Sequence, residues 1–329
     1  AVLRTQKRQC PSLSAFALLL WIVLMKKPWW SVLIILSLSF GLQGCSGVTI
    51  LNTLSPRDGV QVTRSIVFDR QHELKLDVYQ PANAHAAPVI VFFWGGRWED
   101  GDKSMYRFVG AELASKGFVV VIPNYRLYPD VTFPAFVNDS AKAVAWTHEH
   151  IGQYGGSTDK VVLKGHSAGA YNAAMLALNP AYLKAVGGSR QWIRGMIGLG
   201  GPYDFLPLLE PDLKAIFGPP SQYPVTQPIH WADGTNPPML LIESRADTIV
   251  YPKNTRNLYA KIKENGGPVE KFMVDDLSHP MLIGVVSNVL SSQSPILQKI
   301  VSFVVQVTSE KQVRQGEESS GSLAPPNHP

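Results

Sequence analysis

The chain has 329 residues, 45% hydrophobic and 17% charged, which supplies a sizeable core and excludes a disordered chain. Its net charge of +5 sits in the first 44 residues, which hold Arg4, Lys7, Arg8, Lys26 and Lys27 and no acid; the other 25 basic residues balance all 25 acids. A balanced folded part excludes a nucleic-acid binder, and with Cys10 and Cys45 as the only thiols the rest of the chain has no disulfide, thiolate-zinc or cysteine-nucleophile chemistry.

Residues 1–24 lack an initiating methionine and carry an apolar run, Ala15–Leu24. Met25 is taken as the translation start and the upstream stretch as a non-native extension, with a genuine two-run membrane segment as the alternative. From Met25, Lys26-Lys27 precede an apolar run from Trp29 to Leu42 and then Gln43-Gly44-Cys45, the layout of a signal peptide over residues 25–44. Leu42-Gln43-Gly44-Cys45 resembles the lipobox of bacterial lipoproteins, although Gln43 departs from it. The resemblance implies a lipid on Cys45 that anchors the protein in a membrane of the bacterial cell envelope. The alternative is an uncleaved anchor, against which the run is shorter than the roughly 20 residues that span a bilayer. Residues 45–54 are then a tether, 55–308 the folded domain and 309–329, rich in Glu, Ser, Gly and Pro, a disordered tail.

Within the domain, strand and helix alternate. Ile66–Phe68 and Leu74–Tyr79 form an opening hairpin, followed by strands at Val89–Trp94, Val119–Pro123, Val161–Lys164, Gly195–Leu199, Met239–Glu243 and Glu270–Val274. Several are unbroken Val/Ile/Leu/Phe runs, as in strands buried on both faces of a parallel sheet. Helices are expected at Tyr106–Lys116, Phe133–Ile151, Ala168–Leu178, Lys253–Asn265 and Pro295–Val307. The fold class is therefore α/β, a mostly parallel twisted sheet flanked by helices. Residues 203–238 break the rhythm with eight prolines between Pro207 and Pro238, and are expected to form an insertion over the site.

The turn between the Val161–Lys164 strand and the Ala168–Leu178 helix is Gly165-His166-Ser167-Ala168-Gly169. A serine on a sharp strand-to-helix turn projects its hydroxyl at the sheet edge, where a helix N-terminus favours developing negative charge. Ser167 is the candidate nucleophile. Only His230, His279 and His328 follow it. His230 lies in the insertion and His328 in the tail, whereas His279 follows the last strand and is the candidate base. His166 should point away from the serine, and His148 and His150 should be surface residues near a helix end. The orienting acid is expected after the preceding strand, at Asp247; Glu243 should still lie within that strand, and Asp275 and Asp276 are too close to His279 in sequence to reach its far nitrogen. The order Ser167, Asp247, His279 is that of the α/β-hydrolases. An oxyanion hole needs backbone N–H groups at the developing charge. Ala168 offers one. Gly96 and Arg97, in Trp94-Gly95-Gly96-Arg97-Trp98 after the Val89–Trp94 strand, offer the others. No metal or organic cofactor is required.

These residues, with Gly101-Asp102-Lys103, Pro123-Asn124-Tyr125-Arg126-Leu127 and Gly200-Gly201-Pro202-Tyr203-Asp204, resemble the carboxylesterase branch of the α/β-hydrolases, the hormone-sensitive-lipase-like and feruloyl-esterase-like enzymes, over about residues 55 to 307. The resemblance implies an α/β-hydrolase fold and a serine esterase acting on a small-molecule ester, read here as short-acyl. That family usually has His-Gly-Gly-Gly where this chain has Trp94, Gly95, Gly96 and Arg97, and the Arg97 side chain is expected to narrow the acyl pocket. Trp98, Tyr125 and Tyr203 either line that pocket or pack in the core. Two alternatives remain at this point: an amide hydrolase (formamidase or peptidase) on the same triad, or a non-catalytic envelope binding protein.

Overall fold

The computed structural model describes residues 46–56 and 58–309; the extension, the signal segment, Cys45 and residues 310–329 lie outside the described residues. The chain divides between Thr49 and Ile50. Of the first unit, only Ser46–Thr49 are described, as the opening of helix α1 (Ser46–Thr53). Ser46–Thr53, within the stretch expected as a tether, is thus helical. Within the second unit Asn52 holds its end of this helix, with Nδ2 donating to the Ser104 and Met105 carbonyls and Oδ1 accepting from Phe108 N–H. Among the described residues no helix is long and apolar enough to cross a membrane.

The second unit is built on one eight-stranded sheet in the order β1-β2-β4-β3-β5-β6-β7-β8. The strands are β1 (Val60–Asp69), β2 (Leu74–Pro81), β3 (Ala87–Phe93), β4 (Val119–Pro123), β5 (Gly156–His166), β6 (Ile193–Leu199), β7 (Met239–Ser244) and β8 (Val269–Val274). The opening hairpin pairs antiparallel, β2 pairs antiparallel with β4, and every other neighbour is parallel. The continuous apolar runs behave as expected: β4 and β7 are buried at every position. Where the strands exceed their expected limits, as β5 does by starting at Gly156, pairing with a neighbour extends a polar end that periodicity alone would leave as loop.

The helices after α1 are α2 (Arg107–Ser115), α3 (Ala135–His150), α4 (Ala168–Leu178), α5 (Pro180–Ala185), α6 (Pro211–Phe217), α7 (Tyr223–Thr226), α8 (Lys253–Glu264), α9 (His279–Gly284) and α10 (Ile296–Ser309). The longer ones cover the sheet: α2 packs on β2 and β4, α4 on β5 and β6, α8 on β7 and β8, and α10 on β3, β5 and β6. The 203–238 insertion has its own short helices α6 and α7 and its own anchors. Ile216 and Phe217 are buried, the Ile216 carbonyl accepts from Phe133 N–H, and the Thr226 carbonyl accepts from the Tyr171 hydroxyl. His148 and His150 are half-buried rather than simple surface residues. His148 stacks on Trp192 with centroids 3.9 Å apart, and His150 on Trp146 at 5.0 Å, because these flat rings cover indole faces that would otherwise meet water.

Strand order reverses between β3 and β5. From β3 the chain crosses to β4 on one side, and from β5 to β6 on the other, so the loops leaving these two adjacent strands diverge and open a crevice at their carboxyl ends. Ser167 and the Trp94–Trp98 loop both leave the sheet here.

One buried cation lies just below. Lys164 on β5 is fully buried; its Nζ sits 4.3 Å over the Phe92 ring and makes no hydrogen bond. Burial lowers this amine to about 7. Below that pH both folded and unfolded chains hold the proton and the fold carries a charged core residue; between about 7 and the ordinary 10.5 the fold holds fewer protons, so stability rises with pH. Lys164→Met should therefore raise the unfolding free energy by about 1–3 kcal/mol at pH 6 and by less at pH 10, as read from urea denaturation at the two pH values.

Candidate active site

Ser167 occupies the junction of β5 and α4 with φ 55° and ψ −124°, a left-handed conformation that a residue with a Cβ adopts only under constraint. The constraint is local and visible. Ser167 N–H donates to the Leu199 carbonyl at the end of β6, while the Ser167 carbonyl accepts from Ala170 and Tyr171 N–H and starts α4. The two glycines of the motif are required by contact. A Cβ on Gly165 would overlap the Gly169 backbone, and one on Gly169 would overlap the carbonyls of Phe93 and Trp94. The elbow is thereby pressed onto the β3 loop. Among the described residues the Ser167 hydroxyl makes no hydrogen bond.

The loop after β3 is fixed by its carbonyls. The Trp94 carbonyl accepts from the Tyr125 hydroxyl at 2.7 Å and the Gly95 carbonyl from the Tyr106 hydroxyl at 3.1 Å. The Gly96 carbonyl accepts from both Glu99 and Asp100 N–H at 3.0 Å. In a trans peptide the N–H points opposite to the C=O, so the N–H groups of Gly96 and Arg97 face away from these bonds. Neither they nor Ala168 N–H has a hydrogen-bond partner among the described residues. Positive φ at Gly96 (148°), Arg97 (57°) and Trp98 (63°) makes the tight turn.

Trp94 and Trp98 both turn inward. The Trp94 ring stacks on Tyr125 at 4.2 Å, and its Nε1 donates to the Pro123 carbonyl at 2.8 Å. Trp98, 3% exposed, sits among Phe136, Tyr171, Phe205 and Phe217 and donates to Asn172. Tyr125 and Tyr203 are likewise core residues. The Arg97 guanidinium runs to Glu210 (2.7 Å) and Asp212 (2.5 Å) at the start of α6, and to Glu99 at 3.5 Å, so its charge is spent on the insertion. The other motifs brace this loop: Asn124 bonds Asp102 and Lys103 N–H, Lys103 pairs with buried Asp77, and Arg126 forks onto Asp139.

Asp247 and His279 come together from the loops after β7 and β8. His279 Nδ1 lies 2.6 Å from Asp247 Oδ2, and both residues are buried. Asp247 Oδ1 accepts from Ile249 and Val250 N–H, each at 2.9 Å. Burial alone would raise this carboxyl, but the bond to His279 and those two N–H groups outweigh it and hold it below the ordinary carboxylate range. A carboxylate on Nδ1 leaves the lone pair on Nε2, the tautomer of a base. His279 Nε2 is buried and has no hydrogen-bond partner. His279 is not on a bare loop: it opens α9, with Pro280 in the first turn. Its own backbone is held too, its carbonyl 3.1 Å from His166 Nε2, with the two rings 4.8 Å apart. Burial, then the neighbouring His279, push His166 down to about 3, so it stays neutral. Sequence reasoning placed His166 away from the serine but missed this contact, which spans 113 residues.

Asp275 turns outward to Arg245, and His230 stays in the insertion, its ring edge-on to Trp231. Among the described residues, ligand atoms of Asp69, His72 and Asp139 lie within 4.8 Å of one another. Lys142 is bonded to Asp69 and Arg126 to Asp139, so cations of the chain already neutralise both carboxylates.

Comparison with known proteins gives the same architecture. Esterase B of Lactobacillus rhamnosis aligns with a TM-score of 0.70 at 19% identity over 89% of this chain and 99% of that one. In sequence, the chain is 34% identical to the isoprenylcysteine alpha-carbonyl methylesterase ICME of Arabidopsis thaliana over 155 residues, 46% of this chain and 36% of the plant protein. It is 27% identical to the probable carboxylic ester hydrolase LipM of Mycobacterium tuberculosis over 198 residues, 54% of this chain and 45% of that one. The chain thus spans less than half the length of these curated relatives. The BD-FAE profile matches residues 76–262, more than half of the sequence, and the chain belongs to the BD-FAE family of α/β-hydrolase-fold proteins.

Proposed function

We propose that the protein hydrolyses carboxylic esters by acyl transfer through Ser167. The observation that carries this reading is the buried, unbonded Nε2 of His279, backed by Asp247 on Nδ1 and tied to the serine elbow through the bond between the His279 carbonyl and His166. Ser167 Oγ attacks the ester carbonyl while His279 Nε2 takes its proton, and Asp247 holds the imidazole tautomer and supports the imidazolium. The tetrahedral oxyanion is received by the N–H groups of Ala168, Gly96 and Arg97. In such sites losing one donor costs on the order of 3 kcal/mol. His279 returns the proton to the leaving alcohol. Water, deprotonated by the same nitrogen, then releases the acid and restores the serine. The relatives' names supply the bond class: ICME, LipM and Esterase B are each called an esterase or ester hydrolase.

The close packing of Trp98 against Phe136, Tyr171, Phe205 and Phe217 at the end of this loop supports a short-acyl preference. The Leu42–Cys45 sequence supports a lipid-anchored envelope location.

Ser167→Ala should keep the far-UV spectrum and lower turnover of p-nitrophenyl acetate by at least about 10³-fold; activity above a tenth of wild type removes Ser167 from the role. A fluorophosphonate probe should label Ser167 stoichiometrically in the wild type and fail on His279→Ala. Across matched substrates, esters should be cleaved faster than the corresponding amides and acetyl or butyryl faster than octanoyl; the reverse order would assign an amidase or a long acyl pocket. Mass spectrometry of the mature N-terminus should find a lipid-modified Cys45, and an intact peptide crossing Gly44–Cys45 would remove the anchor.

A further inference from the structure

The acyl-transfer steps leave the side chain next to the nucleophile without a task. His166 closes β5 immediately before Ser167 and is 5% exposed. Two further segments meet on it. Its Nε2 lies 3.1 Å from the His279 carbonyl at the start of α9, and the two imidazole rings stand 4.8 Å apart at 34°. Gly95, in the loop after β3, also packs against it. A Cβ on Gly95 would come within 2.9 Å of the His166 carbonyl, 3.2 Å of its Nδ1 and 2.8 Å of Ser167 Cβ.

A carbonyl only accepts, so the bond to His279 puts the proton of this ring on Nε2 and the lone pair on Nδ1. That lone pair is buried and has no hydrogen-bond partner among the described residues. An unpaired buried acceptor is unfavourable, and an apolar side chain of similar size would avoid it. Packing alone therefore does not account for a histidine here, whereas the Nε2 donor does. Burial first, and then the neighbouring His279, disfavour a second proton, so the ring keeps one donor and one tautomer.

Ser167 follows β5 and His279 follows β8, with β6 and β7 between them in the sheet. Strand pairing does not by itself set the base against the nucleophile over that distance. The His279 side chain is held at Nδ1 by Asp247, and Gly200 lies against its ring, where a Cβ would come within 3.1 Å. Its main chain is held by His166. We infer that His166 is a positioning residue of this site: the bond from its Nε2–H to the His279 carbonyl ties the start of α9 to the serine elbow and so fixes where His279 Nε2 stands relative to Ser167 Oγ. It touches no substrate and acts through His279, so the inference rests on the acyl-transfer reading above.

The test compares kcat and KM for p-nitrophenyl butyrate in the full chain, for wild type, His166→Gln, His166→Asn, His166→Leu and Ser167→Ala. Glutamine carries an N–H at about the reach of the imidazole Nε2, asparagine carries it too short, and leucine removes it. His166→Gln should hold kcat within about threefold, and the Asn and Leu variants should each lose about tenfold in kcat with KM little changed, the loss expected for one hydrogen bond. Equal kcat for glutamine and leucine, both intact or both impaired, overturns the proposal, as does a loss confined to KM. A Ser167→Ala variant with unchanged kcat would instead sink the acyl-transfer reading, and the His166 role with it. If circular dichroism shows that His166→Leu does not fold, the Gln and Asn variants decide, and equal kcat for those two overturns the proposal. Nitrogen NMR of the wild type gives a readout besides activity. The His166 ring, recognised by the signals that His166→Gln lacks, should carry its proton on Nε2 with Nδ1 bare near neutral pH, and a proton on Nδ1 overturns the proposal.

Discussion

The site depends on one backbone contact, the seating of the β5–α4 elbow against the carbonyls at the end of β3. That contact leaves no room for a Cβ at Gly165 or Gly169, and it holds Ser167 at a φ of 55° that serine does not choose unaided. Strand pairing brings the two segments together, with Phe92 opposite Lys164 and Phe93 opposite Gly165 in parallel register. The reversal of strand order then sends the loops leaving β3 and β5 in opposite directions. A crevice with a serine on one wall and a turn of unbonded N–H groups on the other is the geometric result.

The polar groups around the crevice are mostly held uncharged. His166 is kept neutral by burial and by His279, and Glu243 by burial and by Asp247. Asp247 is stabilised as an ion by three directed donors rather than by a lysine or arginine. In a setting of low effective dielectric, one negative charge with no compensating lysine or arginine acts on a single target, the imidazole. A nearby arginine would weaken its support of a protonated His279. The basic side chains in or near the loop after β3, Arg97 and Lys103, are paired with acids.

Much of this was legible in the sequence because the strands are unbroken apolar runs and the serine turn is flanked by glycines at fixed spacing. Helix α4 falls on its expected limits because a sharp turn and a β-type cap at Asn179 bound it on both sides. Asp247 and His279 could be nominated by elimination, since each is the suitable residue at the end of its strand. What could not be read were the contacts made across long sequence separations. The His166–His279 bond, the insertion of Trp94 and Trp98 into the core, and the course of the Arg97 side chain depend on which segments become neighbours, and local pattern carries no record of that. Glu243 is the clearest example. In sequence it is a charged residue closing a strand, and the full burial that pushes its carboxyl up to about 8 appears only in the fold.

The pairing of Arg97 with Glu210 and Asp212 joins the turn after β3 to the 203–238 insertion. The insertion of this chain is therefore not a neutral cassette. A graft from another protein that lacked acids at the start of its first helix would leave an unpaired guanidinium at the rim of the crevice, where it would attract anionic substrates and the carboxylate product alike. Glu210 and Asp212 in this way set the charge that the turn presents.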